Sequence, residues 1–131
     1  MQLLVADDNE INLRVACAYL KALGVHEEDI VTARNGLEAV RACRAAQFDL
    51  ILMDIQMPEM DGVTATRTII SEKLQQKQNI IALTANVTES ANEEYLACGM
   101  QKVLHKPLSK AAIQSVLELA VDDSSGVSQS A

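Results

Sequence analysis

The sequence predicts an α/β fold, doubly wound: a five-stranded parallel sheet with helices on both faces. Three observations predict it. Short apolar runs recur five times, at Leu3–Ala6, Ile30–Ala33, Leu50–Met53, Ile80–Leu83 and Val103–Leu104. The third, Leu50–Met53, has no polar residue alternating with its apolar ones, so it reads as a strand buried on both faces. The segments between them carry helix signals, and a β-then-α order repeated five times gives a (βα)5 three-layer sandwich. The chain of 131 residues is the size of one domain. It is 49% apolar and only 2% aromatic, so its core must be aliphatic.

Each element has its own signal. The first strand ends on the acid pair Asp7–Asp8. The helix "NEINLRVACAYLKALG" follows. At 3.6 residues per turn, Glu10, Arg14 and Lys21 share a side expected to face water. Ala16, Tyr19, Leu20 and Leu23 form the expected core stripe, and Asn12 falls on it, needing a hydrogen-bond partner if buried. A second apolar row, Ile11, Val15, Ala18 and Ala22, flanks that stripe. It is either the edge of the core or an exposed strip.

After the second strand, Asn35 is followed three residues on by Glu38, as in a capping box. The third strand ends on Asp54, and Pro58 and Gly62 punctuate the next loop. The fourth, in "NIIALTA", brings Thr84 and Ala85 to the same sheet edge, and Ser90 with Glu93 resembles a second capping box. The fifth, in "VLHKP", brings Lys106 and Pro107. Ser109 is expected to cap a last helix running to about Val121. The domain thus spans 1–121. Residues 122–131, "DDSSGVSQSA", lose all periodicity and are expected to be a disordered polar tail or linker.

Several classes are excluded. A net charge of -7 offers no basic stripe for nucleic acid and no attraction to an anionic membrane. No run approaches a membrane span, and no basic region precedes an apolar segment near the start, so a cytoplasmic location is expected. Cys17, Cys43 and Cys98 show no metal spacing and read as small apolar residues of a reduced protein. His26 and His105 share no metal spacing either. Met53, Met57, Met60 and Met100 read as packing.

The strand ends carry the chemistry. Ligands of open α/β sheets bind beyond the carboxyl ends of the strands, where the first and third strands are commonly neighbours. Asp7, Asp8 and Asp54 would then crowd one site. Like charges so close raise one another's pKa or require a cation, and a hard divalent ion held by oxygens meets that need. Helix capping accounts for one of these acids, not for three. Lys106 and Thr84 add an ammonium and a hydroxyl, and small Ala85 leaves room. Together they suit a phosphoryl group, with Asp54 as the nucleophile that accepts it.

These residues resemble the receiver domain of two-component response regulators, from Leu3 to about Ala120. The resemblance is carried by Asp7–Asp8, Asp54 in "MDIQMPEMDG", Thr84 in "ALTA" and Lys106–Pro107. It implies a flavodoxin-like fold with strand order 2-1-3-4-5. It further implies Mg2+ (or Mn2+) held by Asp8, Asp54 and the backbone carbonyl of Gln56, with Asp7 assisting through water. It implies phosphotransfer from a phosphohistidine on a histidine kinase or histidine phosphotransfer protein, to a receiver that is a monomer or weak dimer. A cis bond is expected before Pro107. "MDIQMPEMDG" and "GMQKVLHKPL" are most similar to receivers of hybrid sensor kinases and phosphorelays. One position departs from the pattern: Val103 stands where receivers often carry the aromatic switch residue. Gln56 and Asn86, two residues after Asp54 and Thr84, are expected to tune the phosphoryl lifetime. The row Ile11, Val15, Ala18 and Ala22 is the expected docking strip for the partner's helix.

Other readings fit less well. A haloacid-dehalogenase-like phosphatase needs a second acid two residues after its nucleophile, where this chain has Gln56. A flavin or nucleotide carrier needs a Gly- or Ser/Thr-rich loop where this chain has "DDNE". A pseudo-receiver acting by binding alone would not need the complete acid, Thr and Lys set.

Overall fold

The computed structural model describes residues 1–86 and 88–129, with side chains described as far as Val121. Five parallel strands form one sheet: β1 Leu3–Ala6, β2 Ile30–Ala33, β3 Leu50–Asp54, β4 Ile80–Thr84 and β5 Lys102–His105. Their order is β2-β1-β3-β4-β5. The helices are α1 Glu10–Ala22, α2 Gly36–Ala45, α3 Gly62–Ser71, α4 Glu89–Ala97 and α5 Lys110–Gln129, with a short 3-10 turn at Glu27–Asp29. The doubly wound architecture and the 2-1-3-4-5 order are as expected.

Period two divides the core between the two faces. Leu3, Val5, Leu50, Leu52, Ile81 and Leu83 pack with Leu13, Ala16 and Leu20 of α1 and Ile113 and Val116 of α5. Leu4, Ala6, Ile51, Met53, Ile80 and Ala82 pack with Val40 of α2, Ile69 of α3 and Tyr95 of α4. Every residue of β1, β3 and β4 is buried, whereas the edge strand β2 exposes Val31 and Thr32. Each fully buried Leu or Ile contributes roughly 1.5–3 kcal/mol, so these three strands anchor the fold.

Four local expectations need adjustment. Leu13, not among the stripe residues predicted for α1, is buried beside Ala16 and Leu20. Asn12 is half-buried and opens on a cleft instead of the core. The cap of α4 is Thr88, whose Oγ1 accepts from Ala91 N at 3.3 Å, so Ser90 lies inside the helix. The turn built by Asn86 before Thr88 starts the helix earlier than the Ser–Glu pair suggests: Asn86 Oδ1 accepts from Thr88 N at 3.0 Å. Ser109 does meet Ala112 N at 3.1 Å, as expected of a cap. Finally, α5 continues past Val121 to Gln129. Among the residues whose side chains are described, Ala120 is the last buried apolar one, and no proline in the sequence beyond it stops the helical backbone. The end of the tail, 130–131, lies outside the described residues.

Candidate phosphoryl and metal site

Register brings the acids together. Ala6 pairs with Met53, so Asp7 and Asp54 stand side by side where β1 and β3 reach the sheet's carboxyl edge. Asp7, Asp8 and Asp54 can each place a carboxylate oxygen within 4.8 Å of the others. Asp7 and Asp54 are buried, and Asp8 is exposed. Neither Asp7 nor Asp8 caps α1. That task falls to Asn9, whose Oδ1 accepts from Ile11 N at 2.9 Å and Asn12 N at 3.1 Å. Asp7 Oδ1 accepts from Asn9 N at 2.9 Å. The helix terminus is satisfied without spending either aspartate on it.

Lys106 answers from across the sheet. Its Nζ lies 3.2 Å from Asp7 Oδ2 and 3.1 Å from Asp54 Oδ1. Lys106 N donates to Thr84 O at 2.8 Å, which fixes the lysine backbone to the end of β4. The Lys106–Pro107 bond is cis, the form expected from the sequence. Burial, then the Asp7 carboxylate, push the Asp54 carboxyl up to about 7, against the opposing pull of Lys106. Burial would lower the Lys106 ammonium, but Asp54 and Asp7 together outweigh it and hold it above its ordinary value. The site is thus short of positive charge: one ammonium faces three carboxylates.

A cleft of about 330 Å³ opens over these groups. Gln56, Thr84, Ala85 and Asn86 line it with Asp8, Asp54 and Lys106. Asn9, Asn12 and Ile55 line it too, and sequence reasoning did not place them there. The signal for the two asparagines was their place in the first turn after the acid pair. Thr84 Oγ1 accepts from Asn86 N at 2.9 Å, and no acceptor for its own proton occurs among the described residues. Asn86 gives its side-chain oxygen to Thr88, so only its amide nitrogen is left for the cleft.

Other expected residues lie further out. Val103 is half-buried and packs against the cluster that holds Tyr95 and Met100. Ile11, Val15, Ala18 and Ala22 are all exposed, Ile11 by 70% and Val15 by 37%. The row is therefore a surface strip and not the margin of the core. A smaller cleft joins it to the site through Asn12, Val15, Lys106, Pro107 and Leu108. Burial raises all three cysteine thiols, Cys43 to about 12, which suits packing.

A family model described as the response regulator receiver domain matches residues 3–118. The chain belongs to that family. It is 37% identical over 128 residues to the signal transduction histidine-protein kinase BarA of Escherichia coli, covering 98% of this chain and 14% of BarA. It is 36% identical to the probable histidine kinase 1 of Oryza sativa, covering 89% of this chain and 15% of that protein. The chain therefore spans about a seventh of the length of these relatives.

Solved receivers share the fold. The receiver domain of sensor histidine kinase PA1611 from Pseudomonas aeruginosa, which holds a magnesium ion in its active site cleft, matches at 35% identity and TM-score 0.80. That match covers 92% of this chain and 97% of the other. The Ssk1 receiver of Saccharomyces cerevisiae, solved with the histidine phosphotransfer protein Ypd1, matches at 27% and 0.79, covering 87% and 83%. This receiver is thus homologous to receivers of hybrid kinases and phosphorelays. Among its described residues no helix is long and apolar enough to cross a membrane.

Proposed function

We propose that this receiver accepts a phosphoryl group on Asp54 with the help of a divalent cation. The observation that carries the reading is the charge imbalance at the site: three acids within 4.8 Å of one another and one lysine. Those oxygens fit a hard cation, with Asp8, Asp54 and the Gln56 carbonyl as its holders and Asp7 behind them. When bound, Mg2+ or Mn2+ would offset carboxylate charge and favour the ionised nucleophile.

The chain's own groups do the rest. A carboxylate oxygen of Asp54 forms a bond to phosphorus, and the bond to the donor breaks, its electron pair leaving with acetate or an imidazole. Lys106 offsets charge on one phosphoryl oxygen, Thr84 donates its uncommitted proton to another, and Ala85 leaves space beside them. Gln56 and the Asn86 amide sit where a water must later enter, so they tune how long the acyl phosphate survives. The receiver acts as a signalling acceptor with slow self-dephosphorylation. The test is acetyl phosphate with Mg2+, followed by intact mass. One phosphoryl group should add to the protein, and none should add when EDTA is present throughout the reaction. No mass gain would sink the reading.

The donor in the cell is a histidine kinase or histidine phosphotransfer protein that docks on the strip Ile11, Val15, Ala18 and Ala22. The exposure of that strip and its continuity with the cleft support this. Val15→Glu should slow phosphotransfer from a phosphohistidine protein about tenfold or more, because an unpaired carboxylate in an apolar contact costs more than the roughly 1–3 kcal/mol of an unpaired neutral polar group. Labelling by acetyl phosphate should be unchanged, since a small molecule needs no docking face. Equal loss of both, or loss of neither, would remove Val15 from the interface.

A further inference from the structure

The corner between β2 and α2 supplies no side chain to the site, yet two of the site's segments hang on it. Asp7 N donates to Ala33 O at 3.0 Å. Gly36 N donates to Met60 O at 2.8 Å. The first bond fixes the acid pair after β1. The second pins the tip of the loop between β3 and α3, the loop that begins just after Asp54 and contains Gln56.

That loop is under constraint along its length. Ile55 N donates to Leu83 O at 3.1 Å, and Gly62 N closes the loop on Ile55 O at 2.8 Å. Met60 N turns back on Pro58 O at 2.7 Å. Glu59, between them, has φ 69, a left-handed conformation unfavourable for a side-chain-bearing residue. A strained turn keeps its shape only when its surroundings hold it. Met57, buried in the core, holds one side, and Gly36 holds the tip.

Gly36 is glycine for lack of space. A Cβ there would run into the Met60 carbonyl oxygen and lie 2.8 Å from both the carbonyl carbon and the Met60 Cβ. These are mostly backbone atoms, so relief requires the loop itself to move. The helix end behind Gly36 does not yield. Asn35 Oδ1 accepts from Glu38 N at 2.8 Å, Glu38 Oε1 accepts from Arg34 N at 3.0 Å, and Ala39, Val40 and Cys43 are buried.

We propose that Gly36 is a positioning residue for the divalent-cation site: its N–H, a spare donor of the first turn of α2, sets the loop so that the Gln56 carbonyl faces Asp8 and Asp54. The inference rests on the reading of Gln56 as a cation holder.

The coupling must run both ways: if the pin favours the cation, the cation favours the pin. Calorimetry on the full chain gives the first test. Gly36→Ala should weaken Mg2+ binding about tenfold or more, while Cys43→Ala, a core truncation in the same helix away from the loop, stays within roughly twofold of the parent. The second test needs no variant, and it decides the matter where Gly36→Ala does not fold. Hydrogen exchange at the Gly36 amide of the parent should slow on saturation with Mg2+. Parent-like affinity in a folded Gly36→Ala, equal weakening in Cys43→Ala, or an indifferent Gly36 amide in a Mg2+-bound parent would overturn the proposal alone. A parent that takes up no Mg2+ would overturn the cation reading and the proposal with it.

Discussion

Asp54→Asn should take up no phosphoryl group from acetyl phosphate at any pH, and in the absence of divalent cation it should be more stable than the parent. The first result follows from chemistry: a carboxamide has no anionic oxygen to attack phosphorus. The second follows from burial. The folded protein holds the Asp54 carboxyl at about 7, far above its ordinary value of 3.8. A group raised on folding contributes stability below its unfolded pKa and loses it as pH rises through the folded one. The parent therefore forfeits stability between about pH 4 and pH 7, by an amount on the order of a few kcal/mol. Asparagine does not titrate and escapes that loss. Thermal melts in EDTA should place the variant above the parent near pH 8. The gap should narrow as pH falls toward the ordinary carboxylate range. Mg2+ should also narrow it by stabilising the parent. A variant that melts at or below the parent at the higher pH would show that Asp54 is not the strained charge of the site, and label persisting in the variant would move the acceptor elsewhere.

Lys106→Met should slow labelling by about two orders of magnitude, the usual cost of removing one preorganised group that meets developing charge. The ammonium is held at 3.2 Å and 3.1 Å from Asp7 and Asp54 before any phosphoryl group arrives, so it needs no rearrangement to act. Its loss has a second consequence. Lys106 opposes the rise of the Asp54 carboxyl, so without it the carboxyl moves further up. Labelling of the variant should then require a higher pH than labelling of the parent. Lys106→Arg should recover little, because a planar guanidinium cannot occupy the point between two carboxylates that an ammonium fills. The check is the rate of mass gain measured across pH. A parent-like rate in Lys106→Met would remove the lysine from phosphoryl transfer.

Local pattern made the strands, their order of appearance and the acids at their ends legible. The interiors of strands buried on both faces, such as β1, β3 and β4, are apolar throughout, and the carboxyl edge is where such a sheet exposes its loops. The cap at Asn35 was legible for the same reason: its partner Glu38 lies within one helical turn. Where a second local solution lay nearby, local reading failed, as at α4, where Thr88 and the Asn86 turn displaced Ser90. Two other questions had no local answer. Whether Ile11 and Val15 are core or surface depends on which element covers that side of α1, and among the described residues none does. Which residue relieves Asp7 and Asp8 of capping depended on Asn9 reaching two amides of the first turn.

Long-range polar contacts left the least trace. Gln75 is buried between α2 and the loop after α3. It accepts from Phe48 N at 2.8 Å and donates to Cys43 O at 3.0 Å and Ala46 O at 2.7 Å. In the sequence it is one of several glutamines in a polar stretch. Gly36 likewise reads as a residue after a cap, and only the fold brings the Met60 carbonyl to the space where its side chain would be. The sequence by itself determined which chemical groups stand at the strand ends, because period and burial act over a few residues. The tertiary structure alone decided which of them share a charge and which loops brace them, because those distances join residues far apart in the chain.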